Sequence, residues 1–157
     1  MSQTILDFMM EDHHRLDGIF SKMEDAKNAP EAKKYFIEFN YGLRRHIVWE
    51  EKIFFPIFEK KKGLTRGGPT EAMRSDHKEI KKLLEGIHDC VAGESAKEFK
   101  KIKKFEEDFR DLILAHNFKE EQMLYGWIDD VLDDKEKKKI FQEVANVSPE
   151  EYEKCCE

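Results

Sequence analysis

Hydrophobic residues recur along most of the chain at intervals of three and four, the spacing of one face of an α-helix. The pattern predicts four long helices, at about 4–26, 30–60, 70–91 and 96–131. Alternation of period two, which would indicate β-strands, is nowhere visible in the sequence. The chain is therefore predicted to be all-α, an up-down-up-down four-helix bundle with a short C-terminal helix.

Turn signals separate the predicted helices. Residues 28–30 end the first helix, 63–69 form the longest loop signal, and 92–95 form a turn. Pro56 lies inside the second helical pattern and predicts a kink or an early end there. The predicted helix N-caps in the second half of the chain are Ser95, either Asp133 or Asp134, and Ser148.

At 157 residues the chain is most simply one domain, long enough to bury a hydrophobic core. We expect the bundle to occupy about 4–131 and a helical extension to occupy about 134–157. Charged and hydrophobic residues each make up 39% of the chain, which suits long helices with solvated outer faces. The net charge of -6, without a basic stripe, argues against nucleic acid as a partner.

A cytoplasmic location is expected. No run of about 18 apolar residues is present, so no membrane span is predicted. The N-terminal residues are acidic and do not resemble a secretory signal. The three cysteines are Cys90 and the adjacent Cys155 and Cys156, an odd count that does not form a disulfide framework. The adjacent pair either binds metal, reacts or is an incidental exposed tail, and the last interpretation is favoured.

Two of the hydrophobic stripes contain a histidine and, one helical turn later, a glutamate. His46 precedes Glu50 and His116 precedes Glu120. The other core-facing residues of these helices are predicted to be Phe36, Phe39, Leu43, Ile53, Phe54, Ile57, Ile102, Phe105, Phe109, Leu112, Met123 and Trp127. An imidazole and a carboxylate are costly to bury without a partner, so two such pairs indicate one shared metal site.

The first and third helices each add one inward histidine. His13 lies in line with Met9 and Leu16, whereas His14 points about 100° away, so His13 is preferred to His14 as a ligand. His77 lies on the apolar face of the third helix. Four imidazoles and two carboxylates suit two metal ions, with two histidines per ion and bridging glutamates. Iron is the favoured metal, with zinc and manganese as alternatives.

A ferritin-like site is the main structural alternative, because Glu-x-x-His also occurs twice. Glu11 and His14 fall off the apolar line of their helix. His88, which follows Glu85, returns to the face of His77 but lies about 16 Å away along the helix axis. We therefore interpret His88 as a helix-end or surface histidine.

Four motifs carry a resemblance to a known family: DHHRLD at 12–17, HIVWEE at 46–51, DHKE at 76–79 and HNFKEE at 116–121. Together they resemble the hemerythrin-like (HHE cation-binding) family and span most of the predicted bundle. The resemblance implies a non-haem di-iron centre with an oxo or hydroxo bridge. The implied ligands are His13, His46, Glu50, His77, His116 and Glu120. Glu121 stands where the oxygen carriers of this family have an aspartate, and is the alternative to Glu120.

One departure from the oxygen-carrying hemerythrins bears on function. Those proteins have two histidines one turn apart in the third helix, whereas here Met73 and Lys81 flank His77. Two histidines per ion would leave open positions on both ions, which argues against simple storage of O₂. The resemblance therefore implies binding, reduction or sensing of O₂, NO or peroxide.

The resemblance leaves several functions open. A simple O₂ carrier, an iron store or donor and an iron-centre repair module are the alternatives to a protein that acts on O₂, NO or peroxide. If the protein is an enzyme, it is expected to be a di-iron oxidoreductase that turns over peroxide or NO. The sequence identifies no redox partner.

Three aromatic residues and one lysine lie near the expected ligands in sequence. Trp49, Tyr125 and Trp127 are candidates to gate ligand access or carry an oxidising equivalent, although aromatic residues at helical spacing are more often core. Lys81, one turn after His77, is a candidate to cap the mouth of the site.

Overall fold

The computed structural model describes residues 3–64, 67–93 and 96–152. Within these residues the chain is helical and contains no strand. The helices are α1 (Ile5–Glu24), α2 (Ala29–Trp49), α3 (Phe55–Lys62), α4 (Pro69–Ala92), α5 (Ala96–Lys100), α6 (Ile102–Lys119), α7 (Tyr125–Val131) and α8 (Asp134–Ala145), followed by a 3₁₀ turn (Pro149–Glu151). The predicted all-α helical bundle is confirmed.

Four antiparallel bundle helices form the body of the protein. α1 is the first, α2 and α3 together form the second, α4 is the third, and α6 and α7 form the fourth. Two side-chain contacts show that α1 and the fourth helix are antiparallel. His13 contacts Glu121, and Glu24, later in α1, contacts Arg110, earlier in the fourth helix. A turn at Lys101 separates α5 from α6, so the predicted helix at 96–131 is not continuous.

Polar side chains cap the helices where the sequence predicts their beginnings. Thr4 and Asn28 accept hydrogen bonds from backbone amides in the first turns of α1 and α2. Asp133, rather than Asp134, caps α8 through a capping box, and Ser148 caps the 3₁₀ turn. The capping box predicted at Ser95 falls outside the described residues.

A π-helical turn interrupts the second and the fourth bundle helices. The two turns, Glu50–Phe54 and Glu120–Leu124, each begin at the glutamate of a His-x-x-x-Glu motif. A π turn accommodates one extra residue, so the residues that follow it are displaced by one position from the α-helical pattern. Single π turns inside α-helices occur frequently at functional sites.

This displacement corrects the core predicted for the end of the fourth bundle helix. Met123 and Trp127, predicted to face the core, are 44% and 42% exposed. Leu124 and Ile128, one position later, are buried instead. The prediction was wrong because it continued the α-helical period through the π turn.

The same displacement occurs in the second bundle helix, where Phe58 is buried and Ile57 is only partly so. The helix does not end at Pro56 but continues to Lys62. Because Pro56 has no N–H, the carbonyl of Glu51, five residues earlier, lacks its π-helical donor. Arg74 donates a hydrogen bond to that carbonyl at 3.2 Å, which satisfies it from the third bundle helix.

The apolar core consists of two clusters of buried side chains. One contains Phe20, Phe39 and Phe109 and lies toward the α1–α2 connection. The other contains Ile5 and residues of α3, α7 and α8, including Ile140. The buried histidines and glutamates lie between the two clusters, so apolar packing surrounds them at both ends. No helix among the described residues is long and apolar enough to cross a membrane.

Candidate metal centre

The six predicted ligand residues converge in the middle of the bundle. Each is at most 7% exposed: His13, His46, Glu50, His77, His116 and Glu120. They form two groups whose potential ligand atoms lie within 4.8 Å of one another. One group is His13, His46 and Glu120, and the other is Glu50, His77, His116 and Glu120. Two histidines therefore lie at each end of the site, and Glu120 belongs to both groups.

A carboxylate from a neighbouring bundle helix faces the outer ring nitrogen, Nδ1, of every one of these histidines. The Nδ1-to-oxygen distances are 2.8 Å for His46 and Asp12, 2.9 Å for His13 and Glu121, 3.0 Å for His116 and Asp76, and 3.5 Å for His77 and Glu51. The first three pairs are hydrogen-bonded. A carboxylate only accepts hydrogen bonds, so in these pairs Nδ1 donates and the Nε2 lone pair is directed to the centre.

Three of the outer carboxylates, Asp12, Glu51 and Asp76, have lowered pKa values and remain ionised. Burial acts to raise the pKa of Asp12, but its hydrogen bond to His46 and the charges of His46 and Arg15 lower that pKa to about 2. The pKa values of Glu51 and Asp76 are also lowered, because His77 and His116 respectively outweigh the effect of burial.

Of these four acids, Asp12, Glu51 and Asp76 were not identified as site residues from the sequence, and Glu121 was considered only as the alternative to Glu120. Two directly precede a ligand histidine and two directly follow a ligand glutamate, and that repetition was the available signal. Glu121 occupies one of the outer positions, so the structure places it beside Nδ1 of His13 rather than between the histidines.

The inner nitrogens of His13 and His46 lie unusually close together for two neutral imidazoles. Their Nε2 atoms are 3.1 Å apart. With both Nδ1 atoms donating outward, two lone pairs face each other, which is repulsive unless a cation or a proton lies between them. Two atoms that each lie about 2.1 Å from one metal ion are separated by about 3.0–3.4 Å at ordinary bond angles. The spacing of these two nitrogens matches that geometry.

The carboxylates approach the inner nitrogens at similar distances. The Nε2-to-oxygen separations are 3.1 Å for His116 and Glu120, 3.3 Å for His77 and Glu50, 3.4 Å for His13 and Glu120, and 3.5 Å for His46 and Glu50. Each glutamate therefore lies near one histidine at either end of the site. That position is suited to a carboxylate that bridges two ions.

Three of the inward nitrogen and oxygen atoms that could bind a metal ion make no hydrogen bond with any described residue. They are Oε1 of Glu50, Nε2 of His77 and Oε2 of Glu120. Burying such atoms without a partner is costly, and most buried polar atoms in proteins are satisfied. A bound cation would provide the missing partner, so the residues present fit a metal centre.

The charges of the metal-free centre favour protons on its imidazoles. Burial acts to lower the pKa of His13 and of His77, but close contacts with the neighbouring glutamates and the charges of those glutamates outweigh it and raise both pKa values to about 9. Burial and the charge of Glu120 raise the pKa of Glu50. Burial also acts to raise the pKa of Glu120, but the charge of His116 and surrounding hydrogen bonds hold it well below its ordinary value.

Tyr125 belongs to the centre. Its hydroxyl donates to Oε2 of Glu50 at 2.9 Å and lies 3.0 Å from Oε1 of Glu120. It also lies 3.2 and 3.3 Å from the Nε2 atoms of His13 and His46. Burial and the charges of the two glutamates raise the pKa of this hydroxyl well above its ordinary value, so it is protonated. From the sequence, Tyr125 was a candidate to gate ligand access or carry an oxidising equivalent because it lies near the ligands along the chain.

The two ends of the centre differ in the residue that follows each π turn. Tyr125 lies five residues after Glu120, and the corresponding residue after Glu50 is Phe55. The Phe55 ring stacks on His77 with a centroid separation of 5.9 Å and an interplanar angle of 11°. One end of the centre therefore has a hydroxyl, and the other has an apolar ring.

The other candidates lie outside the centre. His14 and Glu11 are exposed, and His88 is partly exposed beside Asp89. Trp127 is exposed, as already noted. The buried Trp49 ring lies 6.2 Å from that of His46, in the shell of side chains around the ligands. The remaining candidate, Lys81, lines a surface pocket together with Glu51, Arg44 and Lys52.

Comparison with known proteins agrees with the residue pattern. Residues 4–128 match the family model for the hemerythrin HHE cation binding domain. Over 124 residues the chain is 26% identical to a protein named DNA nickase from Nostoc sp. strain PCC 7120, which covers 79% of this chain and 33% of that protein. Over 91 residues it is 29% identical to an uncharacterised hemerythrin-like protein of Schizosaccharomyces pombe, covering 58% of this chain and 45% of the relative.

The chain thus matches less than half the length of each of these two relatives. No solved structure matches the chain significantly.

Proposed function

The chain belongs to the hemerythrin HHE cation-binding family, and on that premise we propose that it holds a non-haem di-iron centre that binds a small oxygen or nitrogen species. The proposed ligands are His13, His46, Glu50, His77, His116 and Glu120. The ligand of the centre is O₂, NO or peroxide, which the protein senses or reduces. A mixed set of imidazoles and carboxylates suits iron and supports iron over zinc or manganese.

One observation carries this proposal: two pairs of inward imidazole nitrogens meet at two buried carboxylates. His13 and His46 would hold one ion, and His77 and His116 would hold the other, since these pairs fall in two separate groups of potential ligands. Bound iron would supply a redox-active site with positions open to an outside ligand. The outer carboxylates orient the imidazoles and increase their basicity. The Tyr125 hydroxyl lies 2.9 and 3.0 Å from the carboxylate oxygens of Glu50 and Glu120 and would supply a hydroxyl proton at the centre.

The nicking activity in the name of the Nostoc relative is not part of this proposal. The present chain corresponds to about a third of that protein. Its net charge of -6 disfavours binding to the negatively charged backbone of a nucleic acid. We propose a small-molecule ligand, no nucleic-acid partner, a cytoplasmic location and a redox partner that is still to be identified.

Metal content tests the ligands. Protein purified without added metal should contain about two iron ions per chain and absorb in the near ultraviolet through carboxylate-to-iron or oxo-to-iron charge transfer. His13→Ala, His46→Ala and His116→Ala should each lower the iron content. His14→Ala is the matched control, since it removes the exposed neighbour of His13 and should keep both ions. One zinc ion, or no metal in a folded helical protein, would contradict the di-iron proposal.

Exposure of the reduced and oxidised protein to O₂, NO and peroxide separates the functional classes. Catalytic consumption would identify a di-iron oxidoreductase, and a stable reversible adduct would identify a carrier or sensor. Loss of the ions during the reaction would favour an iron store, donor or repair module. We expect a ligand-dependent change in the optical spectrum with both ions retained, which loss of iron would contradict.

A further inference from the structure

A small apolar cavity lies beside His13, between α1, α2 and α6. Its volume is about 30 Å³, which exceeds the roughly 10–15 Å³ needed to hold one water-sized molecule. Six apolar side chains form its walls: Leu16, Phe20, Phe39, Leu43, Phe109 and Ile113. We call this space the His13 cavity.

Aromatic packing keeps the walls in place. The rings of Phe20 and Phe39, Phe20 and Phe109, and Phe39 and Phe109 have centroid separations of 5.0, 4.9 and 5.4 Å. All three side chains are at most 2% exposed. Buried rings in mutual contact resist collapse into a neighbouring space, so we expect the cavity to persist.

The mouth of the cavity lies on the surface between α1 and α6. Leu114, at the mouth, is 55% exposed. Arg110 also lies there, where it pairs with Asp17 and Glu24 and stacks over the Phe20 ring at 4.7 Å. These contacts already engage the guanidinium group of Arg110. The charged groups at the rim, Arg110 and Asp17, are therefore paired with each other, and Asn117 is the other polar side chain besides His13 among the lining residues. The six apolar side chains form most of the route inward.

We propose that the His13 cavity takes up a neutral, weakly polar diatomic molecule such as O₂ or NO and passes it to the ion held by His13 and His46. This inference rests on the proposed function and assigns the route and the ligand class. Apolar walls offer no hydrogen bonds, so they disfavour hydrogen peroxide, nitrite and other strongly hydrated species. Apolar cavities of this kind stay dry and bind apolar gases.

The opposite end of the centre has different surroundings. Near His77, the surface pocket beside Glu51 is lined by four further charged side chains and by three less polar ones: Arg44, Lys52, Lys81 and Glu151, with Ile47, Val48 and Tyr152. Charged side chains of this kind favour water and ions over an apolar gas. The two pockets therefore support entry of the diatomic molecule from the His13 end.

Xenon provides a test of the cavity that does not depend on the chemistry of the metal. Crystals of the purified, metal-loaded protein held under xenon pressure should show a xenon atom within about 4 Å of the side chains of Leu16, Leu43 and Ile113. Leu43→Phe, which fills the space, should remove that atom. Xenon found only at other sites would overturn the cavity as a gas-binding site.

The rate of NO binding tests the route. Leu114→Trp places a large ring at the mouth on an exposed position, so the protein should fold normally. Stopped-flow mixing with NO should show association slowed by about tenfold or more, since binding would then require the ring to move. Iron content and the starting spectrum should stay unchanged. Ile37→Trp, at a position on α2 that is 40% exposed and outside the cavity, is the control and should bind NO at the wild-type rate.

The two experiments separate the inference from the proposed function. Wild-type NO association in Leu114→Trp would overturn the route and leave the di-iron proposal intact. If xenon binds in the cavity but the protein binds neither NO nor O₂, the proposed function and the delivery of a diatomic molecule to the centre are overturned. The identification of the cavity as a gas-binding site would then remain. NO binding without xenon in the cavity would overturn the cavity alone.

Discussion

Metal binding at neutral pH should expel protons from His13 and His77. Both imidazoles have a pKa of about 9 in the metal-free protein. Two pH units below that value, about 99% of each is protonated. A metal ion binds only the neutral imidazole, so an ion must displace the proton before it can coordinate. The two histidines lie at opposite ends of the centre, so each ion displaces at least about one proton.

The size of the effect follows from the pKa values. For each ion, the proton on its histidine lowers the apparent affinity at pH 7 about 100-fold relative to a pH well above 9, or about 2.7 kcal/mol. The logarithm of the affinity should therefore rise by about one unit per pH unit between pH 7 and 8. The rise should flatten as the pH passes 9, where His13 and His77 lose their protons without the metal.

The same shifts determine how the stability of the metal-free protein depends on pH. The folded-state pKa values of His13 and His77 are raised above the ordinary value of 6.5. Their stabilising contribution is thus fully present below pH 6.5 and is lost as the pH rises through about 9. The free energy of unfolding of the metal-free protein should fall across that interval, whereas in the metal-loaded protein these two imidazoles are already neutral and contribute no such fall.

Calorimetric titration measures the proton release directly. Zinc serves as a redox-inert probe and is titrated into metal-free protein at pH 7 in buffers of different ionisation enthalpy. The dependence of the heat on the buffer gives the number of protons released, for which we expect two or more per chain at saturation. Release of fewer than one proton, or an affinity that does not change between pH 7 and 8, would refute the assigned protonation of the centre.

Three further tests, two of them with a matched control substitution, address other features of the structure. Glu121→Gln weakens the hydrogen bond to the outer nitrogen of His13 and should lower metal affinity about 10–100-fold in a chelator competition, whereas Glu107→Gln on the exposed face of α6 should leave it unchanged. Tyr125→Phe removes the hydroxyl that donates to the buried carboxylate of Glu50 and should destabilise the metal-free protein by about 1–3 kcal/mol in urea unfolding; an equal loss in the metal-loaded protein would contradict the proposed carboxylate–metal bonds. Leu124→Ala should cost about 2–5 kcal/mol and Met123→Ala under about 1 kcal/mol, and the reverse order would refute the π turn.

The fold class could be predicted from the sequence because helix amphipathicity is a local property. A stripe of apolar residues at intervals of three and four determines which face of each helix is buried, and turn residues mark where each helix ends. The same periodicity placed His13, His46, His77 and His116 on inward faces. The inner position of His13 and the exposed position of His14 agree with that phase.

The π turns could not be predicted from periodicity. A π turn replaces i→i+4 backbone hydrogen bonds with i→i+5 bonds, and no residue type in 50–54 or 120–124 requires the change. Extending the α-helical period through the second turn placed Met123 and Trp127 in the core. The additional residue in that turn also brings Tyr125 to the centre, five positions after Glu120.

By itself, the sequence determined the number of bundle helices, the buried face of each helix before the π turns, and the residue types available to bind metal. Only the tertiary structure decided which acid holds which histidine, as Asp12 holds His46 and Asp76 holds His116. The packing of three helices likewise creates the His13 cavity, because its walls come from α1, α2 and α6. The physical reason is that these contacts join residues far apart along the chain, and their distances depend on the register and packing of whole helices, which no local pattern encodes.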